Sequence, residues 1–301
     1  MDQLSAIKAF VRLGELGTFS AVAQDLRVRQ STVSKWIAGL ENELGVQLVE
    51  RTTRSLRITE RGQSFLGDAR EILASVEFAV ERVREDTSKL RGRLRVSVPV
   101  VFGRLFVVQE ISRFMAAHPD ISVELLYSDR YLDLLEQNID VAIRVGLPRD
   151  SSYRSHVLGE SQRLVVASPD YVSTFGSPRS PSALAEHCCL SHTGLTQGDI
   201  WTFRRGTQER PIAVQGSFAA NNSEALLEIA KDGHGVALLA DWLVKPELES
   251  GTLVQLLKGW KAPPAPIRAL TGPTRFPQPR VKALIQHLKT HFSARFTERA
   301  R

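Results

Sequence analysis

The stretch QSTVSKWIAGLENELGVQLVERTTRSLRITERG, residues 30–62, decides the fold of the first part of the chain. Apolar side chains recur at helical spacing along its first half, which predicts a helix from Gln30 to Leu44 that stops at Gly45. Its predicted buried stripe is Val33, Ile37, Leu40 and Leu44. The outward face of its first turns carries short or flexible hydrogen-bonding groups, which suit base edges and phosphates better than they suit a solvated face. These candidate contacts are Gln30, Ser31, Thr32, Ser34 and Lys35.

The segment after Gly45 predicts a β-hairpin rich in arginine. Two short β-like runs, VQLVER and SLRIT, flank TTR. Within residues 51–61 the only acidic side chain is Glu60, and the basic side chains are Arg51, Arg54, Arg57 and Arg61. Such charge binds phosphate, and an arginine at a hairpin tip can enter a minor groove. We expect Arg51 and Arg54 to contact DNA; a solvated charged loop is the alternative. Two shorter helices precede this segment, the second with Ser20 as its expected N-cap, so the whole predicts a winged helix-turn-helix.

The segment FSAVAQDLRVRQSTVSKWIAGLENELGVQLVERTTRSLRITERG resembles the DNA-binding segment of LysR-type transcriptional regulators. The matching residues are Phe19, Ala23, Leu26, Gln30, Val33, Ser34, Leu40, Glu41, Leu44, Gly45, Leu48, Arg51, Thr59 and Gly62. Arg29 stands where the family has a serine cap, which leaves Ser31 as N-cap or Arg29 as an extra phosphate contact. The resemblance implies double-stranded operator DNA as a partner, a small-molecule effector, self-association, and RNA polymerase as a further candidate partner.

A long helix is predicted next, and its apolar side chains form a heptad seam. The seam is Phe65, Ala69, Ile72, Val76, Ala79 and Val83, with a second row at Leu66, Leu73 and Val80. One interpretation is a helix packed on its own domain. The other, which we favour and which the resemblance also implies, is a linker helix that pairs two subunits. A homodimer or homotetramer would then present two recognition helices to a two-fold-related operator.

From Gly92 onward the pattern changes to strands that alternate with helices, which predicts an α/β fold with a largely parallel sheet. The run YLDLLEQN is one of the predicted helices. This part resembles the family's two-lobed α/β effector domain, which is similar to periplasmic binding proteins, and we place the crossings between lobes near residues 162–165 and 266–269. The expected domains are 1–62 for DNA binding, 63–91 for the linker and 92–301 for the effector, with lobe one at 92–162 plus 269–301 and lobe two at 163–268.

The effector site is expected off the carboxyl ends of strands, where the chain crosses between lobes. Arg144 could bind a carboxylate, but an internal ion pair with Asp129 or Asp140 is the favoured alternative. Asn221 or Asn222 could cap a helix instead of contacting the ligand. The combination of Phe102, Val100 and Arg144 favours a small organic acid, with an aromatic acid as one candidate. The candidate lining residues are Pro99, Val100, Val101, Phe102, Arg144, Gly146, His192, Trp201, Asn221 and Asn222.

Composition bounds the remaining alternatives. A net charge of +6 and a pI of about 9.5 favour a polyanionic partner. With no signal peptide, no membrane helix and two adjacent cysteines, we expect a reducing cytoplasm and no membrane contact. The sequence contains no catalytic motif, so we expect that the protein is not an enzyme and that it binds no cofactor or metal. His287 and His291 could grip a metal, but a solvated helix face is the prediction because no third ligand is near in sequence. A solute-binding protein and an enzyme with a winged-helix appendage are the weaker alternatives.

Overall fold

The computed structural model describes residues 2–297 except 52–55, 84–89, 131–133, 135–136, 147–152, 194–198 and 274–277. The chain folds into two compact units. The first is built mainly from residues 2–90, and the second mainly from residues 91–273 and 283–297. The predicted helix in YLDLLEQN lies largely outside the described residues. Across those that are described, no helix is both long and apolar enough to cross a lipid bilayer.

The first unit is a winged helix-turn-helix followed by a long helix, as the sequence predicts. Its elements are α1 Gln3–Leu16, α2 Phe19–Asp25, α3 Gln30–Leu44, β1 Val49–Arg51, β2 Leu56–Ile58 and α4 Glu60–Val83. The strands β1 and β2 pair antiparallel, with Glu50 opposite Arg57. The expected cap of α2 is wrong by two residues: Thr18, not Ser20, accepts the N–H of Ala21.

The core of this unit explains which apolar positions matter. Val33, Ile37 and Leu40 of α3 are fully or almost fully buried against α1, where Phe10 is also buried. Removing a phenylalanine ring of this kind typically costs about 3–5 kcal/mol. Leu44, however, is 39% exposed, so the predicted stripe ends one turn early. Leu44 is the last residue of the helix, which Gly45 ends in a left-handed conformation.

Three motif residues hold the wing to the helices. Oε1 of Glu41 accepts the backbone N–H groups of Leu48 and Val49 at 2.8 and 3.0 Å, which ties α3 to the first wing strand. Thr59 donates to the carbonyl of Gln47 and accepts the N–H of Gly62 at the start of α4. A Cβ at Gly62 would lie 2.3 Å from the Leu48 carbonyl oxygen, so only glycine fits there.

The helix α4 combines the two interpretations of its apolar seam. In its first half, Leu66 and Ala69 are buried in the core of the DNA-binding unit, with Phe65 and Leu73 packed against it. Farther along, Ile72 of the seam and Val80 of the second row are 42% and 44% exposed. The first half is therefore a helix packed on its own domain, and the second half leaves apolar side chains exposed.

The second unit alternates strands and helices. Its elements are β3 Gly92–Val98, α5 Val100–Phe102, a π-helix Gly103–Val107, α6 Val108–Ala117, β4 Ile121–Tyr127, β5 Val141–Val145, β6 Arg154–Ser161, β7 Arg163–Ala167, α7 Pro169–Phe175, a 3-10 helix Pro181–Glu186, β8 Cys189–His192, β9 Ile200–Arg205, β10 Gln208–Ala213, β11 Ala219–Ala220, α8 Ser223–Lys231, β12 Val236–Ala240, α9 Asp241–Ser250, β13 Val254–Leu256, β14 Ala265–Thr271 and α10 Pro279–Thr297. The segments α5, the π-helix and α6 follow one another without a break.

Within the described residues ten of these strands form two five-stranded sheets, one per lobe, and β9 and β10 pair antiparallel as a separate two-stranded sheet. The orders are β4-β3-β5-β14-β6 in lobe one and β11-β8-β12-β7-β13 in lobe two. Each five-stranded sheet is mixed rather than largely parallel, because the strands next to the crossings return antiparallel to their neighbours. Gln162 alone separates β6 from β7, so the first crossing lies there. The second crossing falls at residues 257–264, earlier than expected, because Pro266–Ala269 already belong to β14.

Candidate DNA interface and effector cleft

The predicted contact residues share the outward face at the start of α3. Gln30, Ser31 and Lys35 are exposed, and Thr32 and Ser34 are half-buried beside the buried stripe. Arg29 occupies the N-cap position, and among the described residues no side chain caps α3. Ser31 lies inside the first turn and is therefore not the N-cap. This geometry leaves a polar, singly charged end of the helix facing solvent, which is the chemistry that major-groove readout uses.

The wing adds positive charge next to this helix. The side chain of Arg51 and the whole of Arg54 lie outside the described residues, although the backbone of Arg51 ends β1. Arg57 on β2 and Arg61 at the start of α4 are exposed. Arginines at these positions can neutralise phosphates without reading base sequence.

The cleft between the lobes is bridged by a carboxylate that the sequence analysis did not select as a ligand contact. Asp129 follows β4 in lobe one, and its Oδ1 accepts the N–H of Val100, the first residue of α5, at 3.0 Å. Its Oδ2 accepts the side-chain amide of Asn222 from lobe two at 2.7 Å. Oδ1 of Asn222 meanwhile caps α8 by accepting the N–H groups of Glu224 and Ala225. The predicted asparagine cap is thus Asn222, and its amide also reaches across the cleft.

His192 belongs to the same polar group. It ends β8, and the pKa of its imidazole lies below the ordinary value because burial disfavours the cation; the nearby carboxylate of Asp129 opposes this by raising the pKa. A backbone N–H and an amide thus converge on one carboxylate, whose charge also acts on the imidazole of His192. Arg104 and Glu224 add a more exposed ion pair of 3.1 Å between the lobes.

Arg144 has a structural environment. It is buried in β5, and its terminal nitrogens donate to the carbonyl of Ile143 at 2.6 Å, to Oγ of Ser97 at 2.9 Å and to the carbonyl of Arg130 at 3.2 Å. Oxygens of lobe one therefore engage the guanidinium. This arrangement favours the internal role over ligand binding.

The other predicted lining residues divide into two groups. Pro99 and Asn221 lie at the starts of α5 and α8, beside the Asp129 contacts, and Gly146 is buried at the end of β5. Val101 packs in a hydrophobic cluster with residues of lobe two, and Phe102 is buried against Phe106, Trp242, Phe292 and Phe296. Trp201 is buried in the core of lobe two.

A pocket of about 180 Å³ lies beside the first crossing and was not predicted. It is lined by Phe106, Glu160, Gln162, Asp241, Trp242, Lys245, Arg295 and Phe296. The guanidinium of Arg295 stacks over the Phe106 ring at 4.4 Å. The indole N–H of Trp242 is buried and has no hydrogen-bond acceptor among the residues that the structure describes. Its lining residues come from segments far apart in the chain, so no local sequence pattern indicates the pocket.

The two cysteines and the two histidines of α10 are the remaining side chains that could react or bind a metal. Cys188 and Cys189 are free thiols, and burial raises the pKa of Cys189 to about 12, so this thiol is inert at neutral pH. His287 and His291 on α10 face Glu110 of α6 rather than solvent alone. The expected solvated helix face is therefore wrong, because the third polar group comes from a distant part of the chain.

Comparison with known proteins agrees with both units. The model of bacterial regulatory helix-turn-helix proteins of the lysR family matches residues 4–63, and the LysR substrate binding domain matches residues 87–293. The transcriptional regulator PtxR of Pseudomonas aeruginosa is 35% identical over 288 residues, which cover 96% of this chain and 92% of that protein. The transcriptional activator TtdR of Escherichia coli is 33% identical and covers 83% of this chain and 81% of its own.

A solved structure contains the same two kinds of domain. CrgA, a LysR-type transcriptional regulator from Neisseria meningitidis, superposes with a TM-score of 0.58 at 29% identity, covering 96% of this chain and 98% of that one. The winged helix-turn-helix, the two-lobed α/β domain and these matches along nearly the whole chain lead to one conclusion. The chain belongs to the LysR family of transcriptional regulators, with a DNA-binding domain and an effector-binding domain.

Proposed function

We propose that the regulator reads its operator with the start of α3 and grips the flanking phosphates with the wing. The support is the exposed polar face at Gln30, Ser31 and Lys35 next to the arginines of the hairpin. Side chains of Thr32 and Ser34 are short enough to meet base edges when the helix enters the major groove. The wing arginines supply affinity that is independent of sequence.

Two substitutions separate these roles when DNA binding is followed by fluorescence anisotropy at several salt concentrations. Thr32→Ala should lower the discrimination between operator and unrelated DNA. Arg54→Ala should weaken binding to all DNA and reduce the salt slope by about 1. Arg210→Ala, an exposed arginine on β10 of the effector domain, is the matched control and should change neither. An unchanged salt slope in Arg54→Ala would contradict the role of the wing.

We propose that the second half of α4 pairs two subunits. The support is the exposure of the apolar side chains of Ile72 and Val80. Ile72→Glu should convert the dimer to monomer at the same protein concentration and weaken operator binding, because one recognition helix then reads one half-site. Gln63→Glu, an exposed site on the same helix, should leave the molar mass from light scattering unchanged. A monomeric native chain would contradict the pairing.

The proposed effector is a small organic acid whose carboxylate takes the place of the Asp129 carboxylate in the cleft. The single observation that supports it is the convergence of the Val100 N–H and the Asn222 amide on that carboxylate, 3.0 and 2.7 Å away. A helix N-terminus and an amide are general anion-binding groups. The same donors therefore fit the carboxylate of a ligand, and Asp129 is its internal competitor.

Opposite effects of two substitutions test this proposal by titration calorimetry with aromatic and aliphatic acids. Asp129→Ala removes the competitor and should strengthen binding, whereas Asn222→Ala removes a donor and should weaken it about tenfold. Arg144→Ala is predicted to leave the affinity unchanged. If Arg295→Ala weakens binding and Asn222→Ala does not, the acid occupies the pocket beside the crossing and the cleft assignment is wrong.

Regulation follows if the acid binds one arrangement of the lobes better than the other, which shifts the population of states. Re-orientation of the paired subunits would then change the spacing of the recognition helices on the operator. The relative TtdR is named a transcriptional activator, which supports RNA polymerase as a further partner. Transcription reconstituted with purified polymerase, with and without the acid, tests both steps.

A further inference from the structure

We infer that Glu110, His287 and His291 form a binding site for one divalent transition-metal ion such as Zn²⁺. One nitrogen of each imidazole and one oxygen of the carboxylate all lie within 4.8 Å of one another. The histidines are one turn apart on α10, and the glutamate comes from α6, so the site would join two helices of lobe one. This inference is independent of the proposed effector cleft.

The distances fit a coordination sphere. Nε2 of His287 lies 3.3 Å from Oε2 of Glu110, and Nδ1 of His291 lies 3.7 Å from the same oxygen. Two donors that each bind a tetrahedral zinc at about 2.0–2.2 Å are roughly 3.3–3.5 Å apart. Glu110 and His287 therefore already have the separation of two ligands of one ion, and His291 is close enough to supply a third.

The two carboxylate oxygens of Glu110 have different surroundings. Its side chain is 6% exposed, and Oε1 accepts a hydrogen bond of 2.7 Å from the Arg113 guanidinium. Oε2 of Glu110 is buried and, within the described residues, accepts no hydrogen bond of ordinary geometry. Nε2 of His287 is also buried and has no hydrogen-bond partner among these residues. Two buried polar atoms that face each other without a hydrogen bond are costly unless a cation or proton joins them.

The histidines are prepared for the role of neutral ligands. Nδ1 of His291 lies 2.8 Å from the carbonyl oxygen of His287, and because a carbonyl only accepts, that nitrogen carries the proton and leaves a lone pair on Nε2. A ring N–H that donates to a backbone carbonyl is the usual outer-shell partner of a metal-bound histidine. His287 is 17% exposed and His291 40%, so the ion would enter from the side of His291.

The donor set selects the class of ion. Two imidazoles and one carboxylate form a borderline set that suits zinc, cobalt or nickel better than calcium or magnesium, which prefer oxygen ligands. Three protein ligands leave a fourth position for water on the exposed side. The alternative is a simple ion pair in which a protonated histidine neutralises Glu110.

Chelator-treated full-length protein, titrated with Zn²⁺ by calorimetry and with Co²⁺ by visible absorption, distinguishes a metal site from an ion pair. We expect saturation at one equivalent per chain and cobalt d–d bands of a low-coordinate site. Glu110→Gln, His287→Gln and His291→Gln should each weaken binding at least tenfold. His156→Gln, another half-buried histidine of lobe one, and Cys188→Ser should bind as the native chain does.

Two results would overturn the site. One is the absence of saturable binding by the native chain, which would leave only the ion pair. The other is a native-like affinity of His291→Gln for the metal. Because His291 is partly exposed, this variant should fold even if Glu110→Gln does not. A rise in Tm on adding Zn²⁺ that disappears in His291→Gln would support the site, since an ion that binds only the folded state stabilises it.

Discussion

Asn222→Asp should break the contact between the lobes at Asp129. The Asn222 amide donates to Asp129 at 2.7 Å while its oxygen caps α8. Aspartate caps a helix as well as asparagine does, so the substitution changes only the contact across the cleft. A hydrogen bond to a charged group, worth about 1.5–3 kcal/mol, is replaced by two facing carboxylates. Their repulsion is roughly 4 kcal/mol at a separation of about 4 Å and an effective dielectric constant of about 20.

We expect the lobes to separate rather than to sustain the full repulsion. The free energy of unfolding should then fall by about 2 kcal/mol at pH 8, which lowers Tm by roughly 4–8 °C. The pKa of one carboxyl in the close pair is raised in the folded state, so protonation relieves the repulsion and the deficit shrinks as the pH falls to 5. Calorimetry at both pH values measures the deficit, and small-angle X-ray scattering follows the opening.

Asn222→Ser is the control for this prediction. It keeps an oxygen that can cap α8 and introduces no charge, so it should lose the hydrogen bond without gaining a pH dependence beyond that of the native chain. An unchanged Tm of Asn222→Asp at pH 8, or a deficit as large at pH 5 as at pH 8, would refute the electrostatic reasoning.

Three further predictions concern residues with defined surroundings. Gly62→Ala should lower the stability of the DNA-binding domain by about 1–3 kcal/mol in denaturant titrations, because the new Cβ would meet the Leu48 carbonyl; an unchanged midpoint would contradict this. Glu41→Ala should cost at least about 1 kcal/mol and weaken operator binding, because two N–H groups of the wing lose their acceptor; Glu43→Ala, an exposed neighbour, should do neither. Iodoacetamide at pH 8 should label Cys188 well before Cys189, whose thiol has a pKa of about 12, and equal rates in peptide mass spectra would refute the burial argument.

The elements near α3 could be predicted because their signals are local. Helical spacing gives α3, and Gly45 gives its end, since a left-handed residue stops a helix. The details that were wrong depend on one neighbouring turn: Thr18 rather than Ser20 caps α2, and Leu44 points out of the core. Strand directions were also wrong in part, because periodicity shows where a strand lies but not which way the chain returns from a crossing.

The candidate sites depend on contacts between distant residues. Asp129 and Asn222 are 93 positions apart, and a single aspartate in a loop carries no local sign of what it will face. Glu110 and His287 are likewise far apart in sequence, and only the fold brings them together. The role of Arg144 needed the same information, since its hydroxyl and carbonyl partners lie on neighbouring strands and loops.

The most direct test of the central claim is footprinting of the full-length chain on the DNA upstream of its own gene. We predict a protected region with two half-sites related by two-fold symmetry, with affinity that falls as salt rises. Thr32→Ala and Lys35→Ala together should erase the preference for that region while leaving the effector domain folded. Protection no stronger than on unrelated DNA, or protection that the two substitutions leave intact, would contradict the assignment of α3 as the helix that reads the operator.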